Sequence, residues 1–304
     1  MLALFLAVLS LNPPVIPPVP PAQKTESHEA PQPKVQAPAP GAHPEAPKAR
    51  TPVGKRPQPN PLAEAEARAA KLLLDNALLQ QEMAKALGAS IAPVATPEAA
   101  LAELSAGNAR FVAGKRVRTL LSMQDSDLRA TLAKGQAPFA VIMTCSDSRL
   151  ADNLLFDQEL GRLFTIREAG NSPDIQGLAS VEYALEHLGA KLVVVLGHTG
   201  CGAVKAVYEA HGKPLPGNLW SLQAAMAGLL EANHEDPNET PGDYLQRLAV
   251  SNAARQAQGI LDRSEIVRHL AGGGKVRVVP ALYDLANGRV TFLELPRQGP
   301  PSGH

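Results

Sequence analysis

Three short apolar runs, "FAVIMT" at 139–144, "RLFTIREAG" at 162–170 and "KLVVVLG" at 191–197, limit what this chain can fold into. Runs of this length and composition escape water as strands of a sheet, and the segments between and after them have helical periodicity. In "DIQGLASVEYALEHLG" the residues Ile175, Leu178, Val181, Leu185 and Leu188 fall on one side, and "GAVKAVYEAHG" follows the third run as a second helix. Strands alternating with amphipathic helices predict an α/β fold, a mixed sheet with a parallel core flanked by helices. The segments "KVRVVPALYDL" and "RVTFLEL" close the sheet, with Asn287 and Gly288 supplying a hairpin turn between them. Upstream, Thr96 and Pro97 read as the cap and first position of a helix that carries Leu101, Leu104 and Phe111 inward. No internal repeat is visible, and one domain over 96–297 accounts for these elements.

Composition matters most before that domain. "MLALFLAVLSLNPP" is too short to span a bilayer and suits the apolar core of a signal peptide, expected over 1–22 with cleavage after Ala22, although no Lys or Arg precedes it. Residues 23–61 are Pro/Ala-rich with hardly an aromatic, and such a segment cannot bury enough surface to offset its ordering entropy. It is expected to be a disordered linker, with His28 and His43 serving no metal, and residues 298–304 a disordered tail. An amphipathic helical arm is expected over 62–95. Its residues Leu62, Ala65, Ala69, Leu72, Asn76, Leu79, Met83 and Ala86 recur at helical spacing before Gly88 stops it. That face must pack on its own domain or on a second subunit. Net charge is zero without a long basic run, which argues against nucleic-acid binding. The expected location is periplasmic or secreted, or cytoplasmic if the first segment is not a signal, with no membrane span in the mature chain.

The chain has two cysteines, and both follow apolar strands, where open α/β sheets collect ligands. Cys145 opens "CSDSR", with Asp147 and Arg149 two and four positions beyond it. Cys201 lies in "LGHTGCGAV", three residues after His198. Two thiolates and an imidazole suit zinc and leave a fourth position for water or substrate. A helix starting near Cys201 favours its thiolate. In an exported chain a Cys145–Cys201 disulfide is the competing reading, a non-catalytic module that needs neither the acid–base pair nor the histidine.

Together "CSDSR", "REAGN" and "GHTGC" resemble the zinc-site signature of the β-class carbonic anhydrases. The likeness extends through "LSAGNARFVAGK", "LFDQELGRLFTIREAGN", "SVEYALEHLGAKLVVVLGHTGCGAVKA" and "YDLANGRVTFLEL". It implies one zinc per subunit on Cys145, His198 and Cys201, with Asp147 a fourth ligand in a closed form only. Asp147 and Arg149 would form a catalytic dyad, Arg149 holding the carboxylate ionised and oriented, while the Gly202 amide steadies a substrate oxygen. The implied reaction is reversible hydration of carbon dioxide to bicarbonate and a proton by a zinc-bound hydroxide, since zinc lowers the pKa of bound water to about 7. A homodimer or dimer of dimers, with the site at a subunit boundary, is implied as well. Hydrolases of carbon disulfide or carbonyl sulfide use the same site, so that substrate stays open as an alternative.

Two departures stand out. The family pattern continues "CSDSRVPPE", whereas "RLADN" follows here, removing the proline-stiffened turn and placing Asn153 where a glutamate is common. Members shut down by bicarbonate carry Trp three residues before the first zinc cysteine; this chain has Ile142 there and Trp220 far away, so that regulatory pocket is expected to be absent or rebuilt. Glu168 and Asp157 read as structural, His187 as a helix-dipole partner, His211, His234 and His269 as surface residues, and Met143 as core.

Overall fold

The computed structural model describes residues 94–116 and 126–295, together with residues 67, 68, 70–72, 74, 75, 77, 78 and 81. The expected signal, linker and tail lie outside the described residues. Those between 67 and 81 are helical, and their side chains are largely exposed, Leu74 at 61% and Leu78 at 52%.

The domain runs α1 (Pro97–Val112), α2 (Ser126–Leu132), β1 (Ala140–Thr144), α3 (Asp152–Leu155), β2 (Leu163–Arg167), α4 (Ile175–Glu186), β3 (Leu192–His198), α5 (Gly202–Glu209), α6 (Trp220–Ala225), α7 (Pro241–Arg263), α8 (Glu265–Gly272), β4 (Arg277–Tyr283) and β5 (Val290–Phe292). The sheet order is β2-β1-β3-β4-β5. The first four strands are mutually parallel, and β5 returns antiparallel on β4. The hairpin turn holds at Gly288, whose positive φ of 76° suits glycine.

Strand alternation sorts the core into two layers. Ala140, Ile142, Leu192, Val194 and Leu196 meet Leu104 of α1, Val204 and Val207 of α5 and Leu248 of α7 on one face. Val141, Met143, Val193 and Val195 meet Val181, Ala184 and Leu185 of α4, Ala257 and Ile260 of α7 and Val267 of α8 on the other. Central strands buried on both faces therefore read as continuous apolar runs, as sheets covered by helices require.

Caps fix where the helices start. The Thr96 hydroxyl accepts from the Ala99 amide, with Pro97 opening α1, and Asp174 accepts from the Gln176 and Gly177 amides to start α4. Ile175, on the side of α4 that carries Val181 and Leu185, is nonetheless 78% exposed. It is the first residue of α4, ahead of the turns carrying Val181, Ala184 and Leu185 onto the sheet. Within α1, the buried Asn108 donates to the carbonyls of Leu155 and Gly288 at 3.1 and 2.9 Å and accepts from the Val290 amide at 2.9 Å. That one side chain bolts the first helix to α3 and to the β4–β5 hairpin.

Candidate metal centre

Adjacent parallel strands release their chains at the same sheet edge, and β1 and β3 are such neighbours, with Thr144 in register with Leu196. Cys145 is the first residue past β1, and His198 is the last of β3. The chain then turns through Gly200, at φ 63°, to Cys201, the N-cap of α5. One ligand atom from each of Cys145, His198 and Cys201 lies within 4.8 Å of the others, and all three residues are buried. Both cysteines are free thiols, so the competing disulfide reading is not realised.

His198 places Nδ1 3.0 Å from the Thr199 carbonyl, to which that nitrogen donates when protonated, leaving Nε2 to face the sulfurs. Nε2 is buried and has no hydrogen-bond partner among the described residues. The Cys145 thiol is lowered to about 4, chiefly by its contact with Cys201 and against the effect of burial, with His198 and the Gly170 and Asp147 amides adding. Cys201 is pushed up by the Cys145 sulfur and by burial, while the amides of Val204 and Ala203 at the start of α5 work the other way. Of the two sulfurs Cys145 is thus the one favoured as thiolate, and a bound cation would favour that form at both. A lone imidazole nitrogen beside two such sulfurs fits zinc.

The turn Ala169–Asn171 backs the site: the Gly170 amide donates to Cys145 Sγ at 3.3 Å. Gly170 has φ 71°, a conformation that favours glycine, and a Cβ there would stand 2.1 Å from Cε at the far end of the Met226 side chain. Its carbonyl accepts from Asn252 Nδ2 at 2.8 Å and from Ser172 Oγ at 3.0 Å.

Asp147 and Arg149 form a two-pronged pair, Nε to Oδ1 at 2.8 Å and Nη2 to Oδ2 at 2.6 Å, and the Arg149 amide also donates to Oδ1. These bonds hold the Asp147 carboxyl well below the usual carboxylate range. Asp147 Oδ2 lies 3.9 Å from His198 Nε2, so the carboxylate borders the ligand cluster. Gly202 opens α5 with free space where a Cβ would stand.

A family model described as "Carbonic anhydrase" matches residues 140–290. "Carbonic anhydrase 2" of Mycobacterium tuberculosis is 38% identical over 202 residues, covering 66% of this chain and 94% of that protein. This chain belongs to the β-carbonic anhydrase family. "Carbonic anhydrase" of Mycolicibacterium smegmatis is 36% identical over 212 residues, 65% of this chain and 94% of the relative. Among solved structures, the β-carbonic anhydrase CafA of Aspergillus fumigatus is 28% identical at a TM-score of 0.52, covering 66% of this chain and 92% of its own. Coccomyxa β-carbonic anhydrase, solved with acetazolamide, is 26% identical at a TM-score of 0.51, covering 57% and 79%.

Other residues of this β-carbonic anhydrase are also placed. Asp157 is buried and accepts from Arg110 Nε at 2.6 Å, and Glu168 accepts from the Asp174 amide at 2.9 Å. His187 caps the C-terminus of α4 and stacks on Tyr183, and His211, His234 and His269 are exposed. Asn153 donates to the carbonyls of Gln158 and Glu159. Three residues escaped the sequence reading: Arg167, Asp152 and Asn252. A charge ending an apolar strand was the signal available for Arg167; Asn252 lies inside a helix with no motif around it.

Proposed function

We propose that this carbonic anhydrase interconverts carbon dioxide and bicarbonate at the Cys145, His198 and Cys201 cluster, with one zinc ion per subunit. The buried, unpartnered His198 Nε2 facing two sulfurs carries the reading. Bound zinc would supply a Lewis acid that makes water acidic near neutral pH. Asp147, with both oxygens on Arg149, is too weak a base to take the proton away. Its role is to accept a hydrogen bond from the reacting water and set that water's orientation. Arg149 keeps the carboxylate turned toward itself, which favours a resting state with the fourth position open. The space at Gly202 leaves its amide accessible to a product oxygen. Carbon dioxide carries no net charge to grip, so positioning does most of this work.

Replacing Cys145, His198 or Cys201 by Ala should abolish zinc content and stopped-flow carbon dioxide hydration together. Stoichiometric zinc in all three variants would overturn the assignment. Two further readings belong with this one. The amphipathic stripe of the segment over 62–95, which needs a surface to pack on, supports a homodimer or dimer of dimers in which that segment meets a second copy, and light scattering giving a fully active monomer would refute it. The apolar segment at the N-terminus, followed by the Pro-rich stretch, supports export; cell fractionation with N-terminal sequencing tests it.

A further inference from the structure

The segment from Cys145 to Asp147 carries a sulfur of the cluster and the carboxylate beside it, so its backbone must be held. No strand pairing holds it, since β1 ends at Thr144. Arg167, the last residue of β2 and in register with Thr144, reaches over from the neighbouring strand. Its Nε donates to the Cys145 carbonyl at 3.3 Å and its Nη2 to the Asp147 carbonyl at 2.6 Å. A rigid guanidinium bridging two carbonyls fixes the peptide planes between them, which a lysine's single point charge cannot do. The Asp147 amide is directed at the Cys145 sulfur, and the Asp147 side chain is on Arg149. Arg167 therefore grips the remaining polar group of Asp147, its carbonyl, which also accepts from the Leu150 amide at 3.1 Å.

Behind this bridge lies Asp152, the first residue of α3, only 5% exposed. Its Oδ1 has no hydrogen-bond partner among the described residues, and Thr165 bonds to its carboxylate. Thr165 and Arg167 are two apart on β2 and share a face, so the acid lies against the side of the strand from which Arg167 extends. Arg167 is the cation whose charge bears on it, from beyond the 4.0 Å of a direct ion pair among the described residues. Helix capping does not account for Asp152: α3 has four residues and makes no side-chain cap bond. A buried carboxylate with an empty oxygen calls for a reason beyond packing.

We propose that Arg167 is a positioning residue for the reaction, holding the Cys145 and Asp147 carbonyls so that the Asp147 carboxylate stays beside the ligand cluster, and that Asp152 is the buried counter-charge that keeps Arg167 there. The proposal rests on the carbonic anhydrase reading above. It deepens that reading by naming what holds the dyad in place.

The test uses the full-length, zinc-loaded protein and the variants Arg167→Ala, Arg167→Lys and Asp152→Asn, with kcat, KM, zinc release to a chelator and thermal midpoint read for each. Arg167→Ala should keep zinc as purified, lose kcat by about tenfold to a hundredfold at unchanged KM, and release zinc about tenfold faster. Added guanidinium ion should restore part of both losses. Arg167→Lys should lie nearer to Arg167→Ala than to wild type, and Asp152→Asn should lose kcat several-fold without a fall in thermal midpoint at pH 8. Wild-type kcat in Arg167→Ala would overturn the proposal. So would a loss matched by a fall in thermal midpoint and insensitive to guanidinium, which is the behaviour of a merely structural residue. A zinc-loaded wild type inactive on carbon dioxide would instead overturn the reading underneath, and the proposal with it.

Discussion

Asp152→Asn separates a residue kept for stability from one kept for function, because the two predict opposite signs. Burial raises the Asp152 carboxyl from its ordinary 3.8 to about 6, partly opposed by the Arg167 charge and the Thr165 hydroxyl. Between those values the folded chain holds a proton that the unfolded chain has released. Stability from this group is therefore greatest below pH 3.8 and is lost as pH rises through about 6. A shift of about two units at 1.36 kcal/mol each gives a total penalty of about 3 kcal/mol, roughly half of it already present at pH 5. Asparagine does not titrate, so the stability of Asp152→Asn relative to wild type should climb by about 1.5 kcal/mol between pH 5 and pH 8. In a domain of this size that is a relative rise in thermal midpoint of about 3–6 °C. The assay is urea unfolding of both zinc-loaded proteins at the two pH values, with the slope deciding, since a constant offset from amide packing cancels in it. A difference that is flat with pH, or that falls, would refute the argument and place the ionised carboxylate in a fully satisfied site. A rise alongside lowered kcat would mark Asp152 as a residue held against stability for the sake of the site.

Gly170→Ala places a Cβ 2.1 Å from Met226 Cε, which can swing aside, and at a positive φ of 71°, which strains alanine; relief of that backbone strain shifts the turn whose amide donates to Cys145 Sγ. Zinc release to a chelator should quicken and kcat/KM fall by about tenfold or more; wild-type values for both would refute this. Asn108→Ala strands two carbonyls and one amide, and at about 1 kcal/mol for each lost bond it should reduce stability by about 3 kcal/mol in a denaturant titration, with kcat per folded molecule unchanged. Removing residues 1–59 takes away no zinc ligand and should leave zinc content, kcat and thermal midpoint unaltered. Loss of activity in that soluble, shortened chain would make the Pro-rich segment part of the working site.

What could be read from the sequence depended on how local its cause was. The runs around Val141 and Val193 were legible as strands because they are buried on both faces, so no polar residue interrupts them. Cys145, His198 and Cys201 were legible because strand ends and a three-residue spacing bring them to the same edge. Helix α7 passed unread although Thr240 and Pro241 carry the same start signal as Thr96 and Pro97. Its buried face bears Asn252, Gln256, Ala249, Ala253 and Ala257, small or polar residues that blur an apolar period. Those residues are there for physical reasons: alanines let the helix approach Gly197 of β3, where a Cβ would lie 3.1 Å from the Ala249 carbonyl, and Asn252 supplies the donor that Gly170 needs. The feature that hid the helix from a periodicity reading is the one that connects it to the metal centre.

Arg167 and Asp152 were hidden by a different cause. Each makes its case through a neighbour distant in sequence, a carbonyl 20 or 22 residues back for Arg167 and a hydroxyl on β2 for Asp152. Motif spacing records which side chains gather at the candidate metal centre; it carries no trace of what orients a carbonyl. The thiol, acid and base of "CSDSR" are close in sequence, yet two of their three supports come from outside the segment: the Gly170 turn on the sulfur and Arg167 on the backbone, with Arg149 of the segment itself on the carboxylate. A reacting water at this site would meet an acceptor whose place is set from all three directions, so loosening any one of them should disturb orientation before it disturbs folding.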